Sequence, residues 1–110
     1  MNLSLKKQIE KAFFQTLQDL KNIKEKEVFL RDFLMESEFE TQIKRLAIAY
    51  WLKKGRDGEN IMQNLHASLE DVKKIERIMN TPGIKLALKY MEAEEWANVW
   101  AEKIKKFVRK

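Results

Sequence analysis

Three glycines and one proline are all the backbone punctuation in this chain of 110 residues. They are Gly55, Gly58, Pro82 and Gly83, and no residue before Gly55 is of either kind. A fold of many short strands needs a tight turn every ~8–12 residues, and such turns draw on residues that accept positive φ or arrive with φ preset. So sparse a supply excludes an all-β fold and points to helices, which need a breaker only at their ends. With 45% of its residues apolar, the chain has enough to bury to fold rather than stay disordered. A single all-α domain, residues 1–110, is expected. At this length folding hides only about two-thirds of the surface of the unfolded chain, so its core must be thin.

Between the breaks, apolar residues recur at three and four, the period of a one-sided helix. Ile9, Ala12, Phe13, Leu17 and Leu20 place a first helix over about Leu5 to Asn22, and Val28, Phe29, Phe33 and Leu34 a short second one. Ser37 followed by Glu40 has the spacing of a capping box and predicts the start of a third helix. It runs through Ile43, Leu46, Ala47, Tyr50, Trp51 and Leu52 to Gly55, and its apolar residues cover so much of the circumference that it reads as a central helix. Gly58 opens a fourth with Ile61, Met62 and Leu65 inward. Ser68 and Asp71 cap a fifth containing Leu69, Val72, Ile75 and Met79. Thr81-Pro82-Gly83 interrupts, since proline lacks the N–H a helix interior requires. A long sixth helix follows, residues 84–108, striped by Leu88, Met91, Trp96, Trp100, Ile104 and Phe107.

That is more large apolar surface than one thin helical layer covers. Phe13, Phe14, Trp96, Trp100 and Phe107 either pack between the two end helices of one chain or meet a second chain, and a symmetric homodimer is the expected solution.

The segment 58–80 is the most informative. Two short helices joined through His66-Ala67-Ser68, with Ile61, Leu65, Ala67, Val72 and Ile75 as the buried set, have the pattern of a helix-turn-helix whose second helix stands proud of the surface. His66 occupies the turn position where glycine is usual, and it is among the residues that tolerate a left-handed backbone. Met62 stands where a small residue is usual. Lys73, Lys74 and Arg77 on the second helix offer donors to phosphate or guanine, although a run of charge is also what any solvated face carries. Gln63 and Asn64 precede the turn, and Lys53, Lys54 and Arg56 flank the module where a phosphate strand would pass. Against these stand Glu70 and Asp71 at the tip. Acids there suit the positive end of a helix and cap its free N–H groups; Glu and Asp also accept a hydrogen bond from the cytosine amino group.

Other chemistries find little support. Without cysteine there is no disulfide, no thiolate zinc site and no thiol catalysis. His66 is the sole imidazole, no carboxylates cluster at ligand spacing, Ser68 is better explained as a cap, and no Gly-rich phosphate loop is present. Neither an enzyme nor a cofactor or metal site is expected. No apolar run approaches the ~18 residues of a spanning helix, and the first residues have no signal-peptide core, so the expectation is a cytoplasmic protein without membrane insertion. The net charge of +5 favours anionic partners. The basic end from Lys103 to Lys110 would suit phosphates or an anionic membrane surface, although a frayed basic tail is more common than either.

The segment F-L-M-E-S-E-F-E-T-Q-I-K-R-L-A-I-A-Y-W-L-K-K-G, Phe33 to Gly55, continued without a gap by R-D-G-E-N-I-M-Q-N-L-H-A-S-L-E-D-V-K-K-I-E-R-I-M-N to Asn80, resembles the Trp repressor family. The likeness lies in an acidic capped turn, a central helix with an internal arginine, a closing basic residue with glycine, and the helix-turn-helix itself. The resemblance implies an intertwined all-helical homodimer of about six helices whose two reading heads enter successive major grooves. The family's tryptophan corepressor lies between two arginines. Arg45 matches the first and is the candidate effector residue; at the second position stands Ile75, and Arg77, two residues on, faces elsewhere. Losing half the clamp removes a charge-assisted hydrogen bond of about 1.5–3 kcal/mol, so tryptophan is not expected to be the corepressor, and any small-molecule effector is a different one. Arg45 has a structural alternative, pairing with Glu38 or Asp71.

The reading that results is a sequence-specific, double-stranded-DNA-binding transcriptional regulator, of repressor type. Residues 68–79 lie in the major groove, and contacts come from Lys53, Lys54, Arg56, Gln63, Asn64, Ser68, Glu70, Asp71, Lys73, Lys74 and Arg77. The competing reading is a helical protein-interaction scaffold in which these charges are mere surface.

Overall fold

The structure, a computed structural model, describes the backbone of residues 1–108 and the side chains of residues 1–95. Six helices and no strand occur among the described residues: α1 (Leu3–Asp19), α2 (Ile23–Phe33), α3 (Glu36–Lys53), α4 (Gly58–Leu65), α5 (Leu69–Ile78) and α6 (Pro82–Val108). The fold is the expected all-α one. Among the described residues no helix is long and apolar enough to cross a membrane.

Short polar side chains set the starts. Asn2, Asn22, Asp57 and Ser68 each accept a backbone N–H from the first turn of the helix they precede, satisfying donors that have no partner within the helix. Two expected boundaries move for this reason. Asn22 does not end α1; the chain turns extended at Leu20, and Asn22 caps α2 through Glu25 N at 2.9 Å. Nor does Ser37 cap α3. The helix begins at Glu36, and Glu38, not Glu40, reaches back to accept from Met35 N at 3.4 Å. Starting there brings Glu36 and Glu38 into the first turn, where the positive end of the helix dipole favours them. Pro82 becomes the first residue of α6, where its missing N–H would have had no partner within the helix and its fixed φ suits the helical start.

The stops are set by left-handed residues. Gly55, at φ 86°, ends α3, with Arg56 N bonded to Trp51 O at 3.1 Å. His66, at φ 52° and ψ 45°, ends α4, with Ala67 N bonded to Met62 O at 3.2 Å. Both are six-to-one closures of a helix end, which require one residue at positive φ.

The chain divides into two compact units, Met1–Glu40 and Thr41–Lys110. In the second, Ile48 and Ala49 of α3, Ile61 of α4, Val72 and Ile75 of α5 and Leu88 of α6 form one buried core. Leu65, Ala67, Met62, Met79 and Met91 are half-buried against it. The first unit has no buried residue in α1 or α2. Phe13, Phe14, Phe29 and Phe33 meet there, with Phe29 stacked on Phe33 at a centroid distance of 5.2 Å and Phe13 5.8 Å from Phe33, yet Phe14 and Phe33 remain exposed. Of the stripe expected along α6, Leu88 is buried and Met91 half-buried; the side chains of Trp96, Trp100, Ile104 and Phe107 lie outside those described.

Candidate nucleic-acid interface

α4 and α5 pack against each other, joined through His66-Ala67-Ser68. Three sets of bonds hold that joint. Met62 O receives the N–H of both His66 and Ala67, closing α4. Lys44, on α3, donates from Nζ to His66 O at 3.2 Å and ties the turn to the central helix. Ser68 and Asp71 form a complete capping box, Asp71 N donating to Ser68 Oγ and Ser68 N to Asp71 Oδ2, both at 3.1 Å. The backbone and side-chain hydrogen bonds from Ser68 favour the Asp71 carboxylate and pull its pKa below the ordinary value.

Val72 and Ile75 point α5 into the core, so the opposite side is the outward one. Glu70, Lys73, Lys74 and Arg77 stand at i, i+3, i+4 and i+7 on that side, and all four are exposed. Glu70 and Lys74 form an i,i+4 pair at 3.4 Å with the glutamate side chain 78% exposed, a geometry worth only some tenths of a kcal/mol and readily given up to a better partner. Lys73 and Arg77 make no ion pair among the described residues.

The flanking residues have more varied surroundings. Gln63 is exposed, and Asn64 donates from Nδ2 to Asn60 O at 2.9 Å, one turn back on α4. Arg56 lies over the Trp51 ring at 4.0 Å and donates to Asn60 Oδ1 at 3.1 Å, which fixes its guanidinium beside the start of α4. Lys53 is exposed at the end of α3 and unpaired among the described residues. Lys54 pairs with Glu95 of α6 at 2.8 Å, and the Tyr50 hydroxyl donates to the same Glu95 oxygen. The Lys54 bond, then the Tyr50 bond, lowers the Glu95 pKa; their shared bond with Glu95 raises those of Lys54 and Tyr50. The α3 to α6 clasp formed by these three groups has no local signal in the sequence, because Glu95 lies far along the chain. Lys44 has a local signal for its face, one turn before the buried Ile48 on α3, but none for its partner, the turn at His66.

Between α3 and α5 lies a cavity of about 130 Å³ bordered by Lys44, Arg45, Ile48, Asp71, Lys74 and Ile75. Arg45 is exposed there and makes no ion pair among the described residues, so the expected alternative of a bridge to Glu38 or Asp71 is not formed. Ile75, only 4% exposed, belongs to the core and puts no charge opposite Arg45. Among the described residues no group of three His, Cys, Asp or Glu side chains is placed to hold a metal ion.

Compared with known families, residues 8–92 match the model described as Trp repressor protein, from within α1 well into α6 and so beyond the stretch Phe33 to Asn80 in which the likeness is legible by eye. No curated protein matches the chain. No solved structure matches it either.

Proposed function

The chain belongs to the Trp repressor family of DNA-binding helix-turn-helix regulators, and from that premise we propose that it is a sequence-specific, dimeric transcriptional repressor that reads duplex DNA with α5. The carrying observation is the outward face of α5, where Glu70, Lys73, Lys74 and Arg77 share one side of a helix whose start is locked by the Ser68–Asp71 box. A recognition helix needs such a rigid start, because its first turn meets the base edges while later residues meet phosphates.

In this reading the two acids at the tip divide the work. Asp71 is engaged with Ser68 and serves the helix. Glu70 faces solvent and accepts from the cytosine amino group once Lys74 turns to a phosphate. Lys73 and Arg77 contact backbone on either side, with Lys53, Arg56, Gln63 and Asn64 fixing register. Lys54 is the weakest of the proposed contacts, since reaching a phosphate means leaving Glu95.

The Lys73→Ala, Lys74→Ala, Arg77→Ala variant tests the assignment. It should lower the slope of log affinity against log salt by about 0.9 for each phosphate that a head no longer neutralises. Unchanged binding to every duplex would mean that α5 is not the reading head and would place the interface elsewhere on the chain.

Two further parts of the proposal concern partners. The occupant of the open aromatic face of α1 and α2 is a second copy of this chain. Symmetric pairing supplies cover for Phe14, Val28 and Phe33, which the described part of one chain leaves exposed. The effector, if one operates beside Arg45, is not L-tryptophan. A cavity of about 130 Å³ is well under the ~300 Å³ at which small-molecule sites begin; Ile75 puts no second guanidinium there, and the lysines that also border it are engaged, Lys44 with His66 O and Lys74 with Glu70. Calorimetry should find no stoichiometric tryptophan binding at micromolar protein; a tight isotherm would overturn this.

A further inference from the structure

At the opposite end of α5 from its capped start, a cavity of about 320 Å³ opens where α3, α5 and α6 meet. Its ten residues make α5 about 15 Å long, so this cavity is well removed from the tip proposed to read bases. Leu88, 3% exposed, and half-buried Met79 give it an apolar side, and Asn80 adds an amide. Lys53, Lys85 and Lys89 line it, against the single acid Glu92.

The three lysines make no ion pair among the described residues. The end of α3 accounts for Lys53, because a cation in a last turn complements the helix dipole. The same argument runs against Lys85. Lys85 is in the first turn of α6, at its positive end, and that turn holds no acid. Lys89 follows at i+4, the spacing at which like charges repel. Lys85 gains nothing from the helix that carries it, and Lys89 has only the i,i+3 spacing to Glu92 to set against that repulsion. Both become favourable if an anion sits among the ammonium groups. Three point charges on flexible stems suit a dianionic phosphate better than the flat carboxylate that an arginine fork would grip.

We infer that this cavity is a binding site for a small phosphorylated molecule, its phosphate held by Lys85 and Lys89, and by Lys53 when that side chain is not on the DNA backbone, and its apolar part resting on Met79 and Leu88. Because Met79 and Asn80 directly follow the proposed recognition helix, an occupant that bridges them to α3 and α6 is also coupled to DNA affinity; that second step rests on the proposed function, whereas binding itself does not.

The test uses the full chain without DNA. Phenyl phosphate, a dianion on an apolar ring, is titrated by calorimetry and by amide chemical shifts, beside inorganic phosphate and benzoate. Saturable binding of phenyl phosphate is expected, tighter than that of either control, with shifts at Asn80, Lys85 and Lys89. Lys85→Gln with Lys89→Gln should weaken it at least tenfold while circular dichroism and thermal midpoint hold or improve. No saturable binding would overturn the site, as would binding undiminished in the double variant. If instead that variant only lowers the salt slope of DNA binding, the lysines serve the DNA backbone and the small-molecule site is wrong. With DNA absent from the titration, failure of DNA reading leaves this result intact, and the reverse holds.

Discussion

The two compact units of this chain differ in how they treat apolar surface. Thr41–Lys110 draws residues from four helices into one buried core, with Ile48, Ile61 and Val72 each at most 1% exposed. In Met1–Glu40, four phenylalanines gather between two helices, and neither helix buries a single residue. Both units are amphipathic in sequence. Periodicity shows which face of a helix is apolar, and it does not show whether that face is covered from within the chain or from outside. The contrast gives the units different tasks under the proposed function: the second positions a reading head, and the first joins two chains so that two heads act together.

Truncating the core should have the largest effect. Ile61→Ala removes a fully buried side chain and is expected to cost about 2–5 kcal/mol in denaturant unfolding. A cost below about 1 kcal/mol would mean that the second unit is no better packed than the first.

Next comes the aromatic face. Phe14→Glu with Phe33→Glu alters positions that are 65% and 59% exposed in one chain, where the loss within that chain is the ring contacts with Phe13 and Phe29, each worth about 0.5–1.5 kcal/mol. If the face is the dimer interface, sedimentation equilibrium should show at least a hundredfold weaker association, about 2.7 kcal/mol. Unchanged association, or a wild-type monomer, would remove the distinction between the units' tasks.

The smallest effect concerns the clasp of Tyr50, Lys54 and Glu95 within the second unit. Glu95 has a depressed pKa, so its contribution is present above the ordinary glutamate value of about 4.3 and disappears as pH falls through the folded value. Tyr50 and Lys54 have raised values, so theirs is present below about 10 and disappears as pH rises through the folded ones. The thermal midpoint of Glu95→Gln should therefore trail that of the wild type between about pH 5 and 10, and the gap should close on the acid side. A gap independent of pH would mean that packing, not charge, is what the variant loses.

Legibility in the sequence followed the range of the interaction. The Ser68–Asp71 box, the left-handed stops at Gly55 and His66, and the inward set Ile61, Val72 and Ile75 depend on neighbours within one or two turns, and all are present as expected. Even local signals mislead where two compete: Ser37 and Glu40 had the spacing of a cap, but α3 starts earlier, around Glu38 and Met35. Side chains whose partners lie on other helices were harder. Arg45 lacks its expected acid, Lys54 is held by Glu95, and Lys44 supports the turn at His66. Each depends on where a distant helix places its residues, which no local spacing records.

The most direct test of the central claim is fluorescence anisotropy of the purified protein against a randomised duplex pool across a salt series, with the retained fraction sequenced. A dimeric reader predicts affinity that falls steeply with salt and an enriched, two-fold-symmetric site whose halves lie about one helical turn apart. No enrichment and no binding even at low salt would contradict it, and the charged face of α5 would then be surface on a helical scaffold.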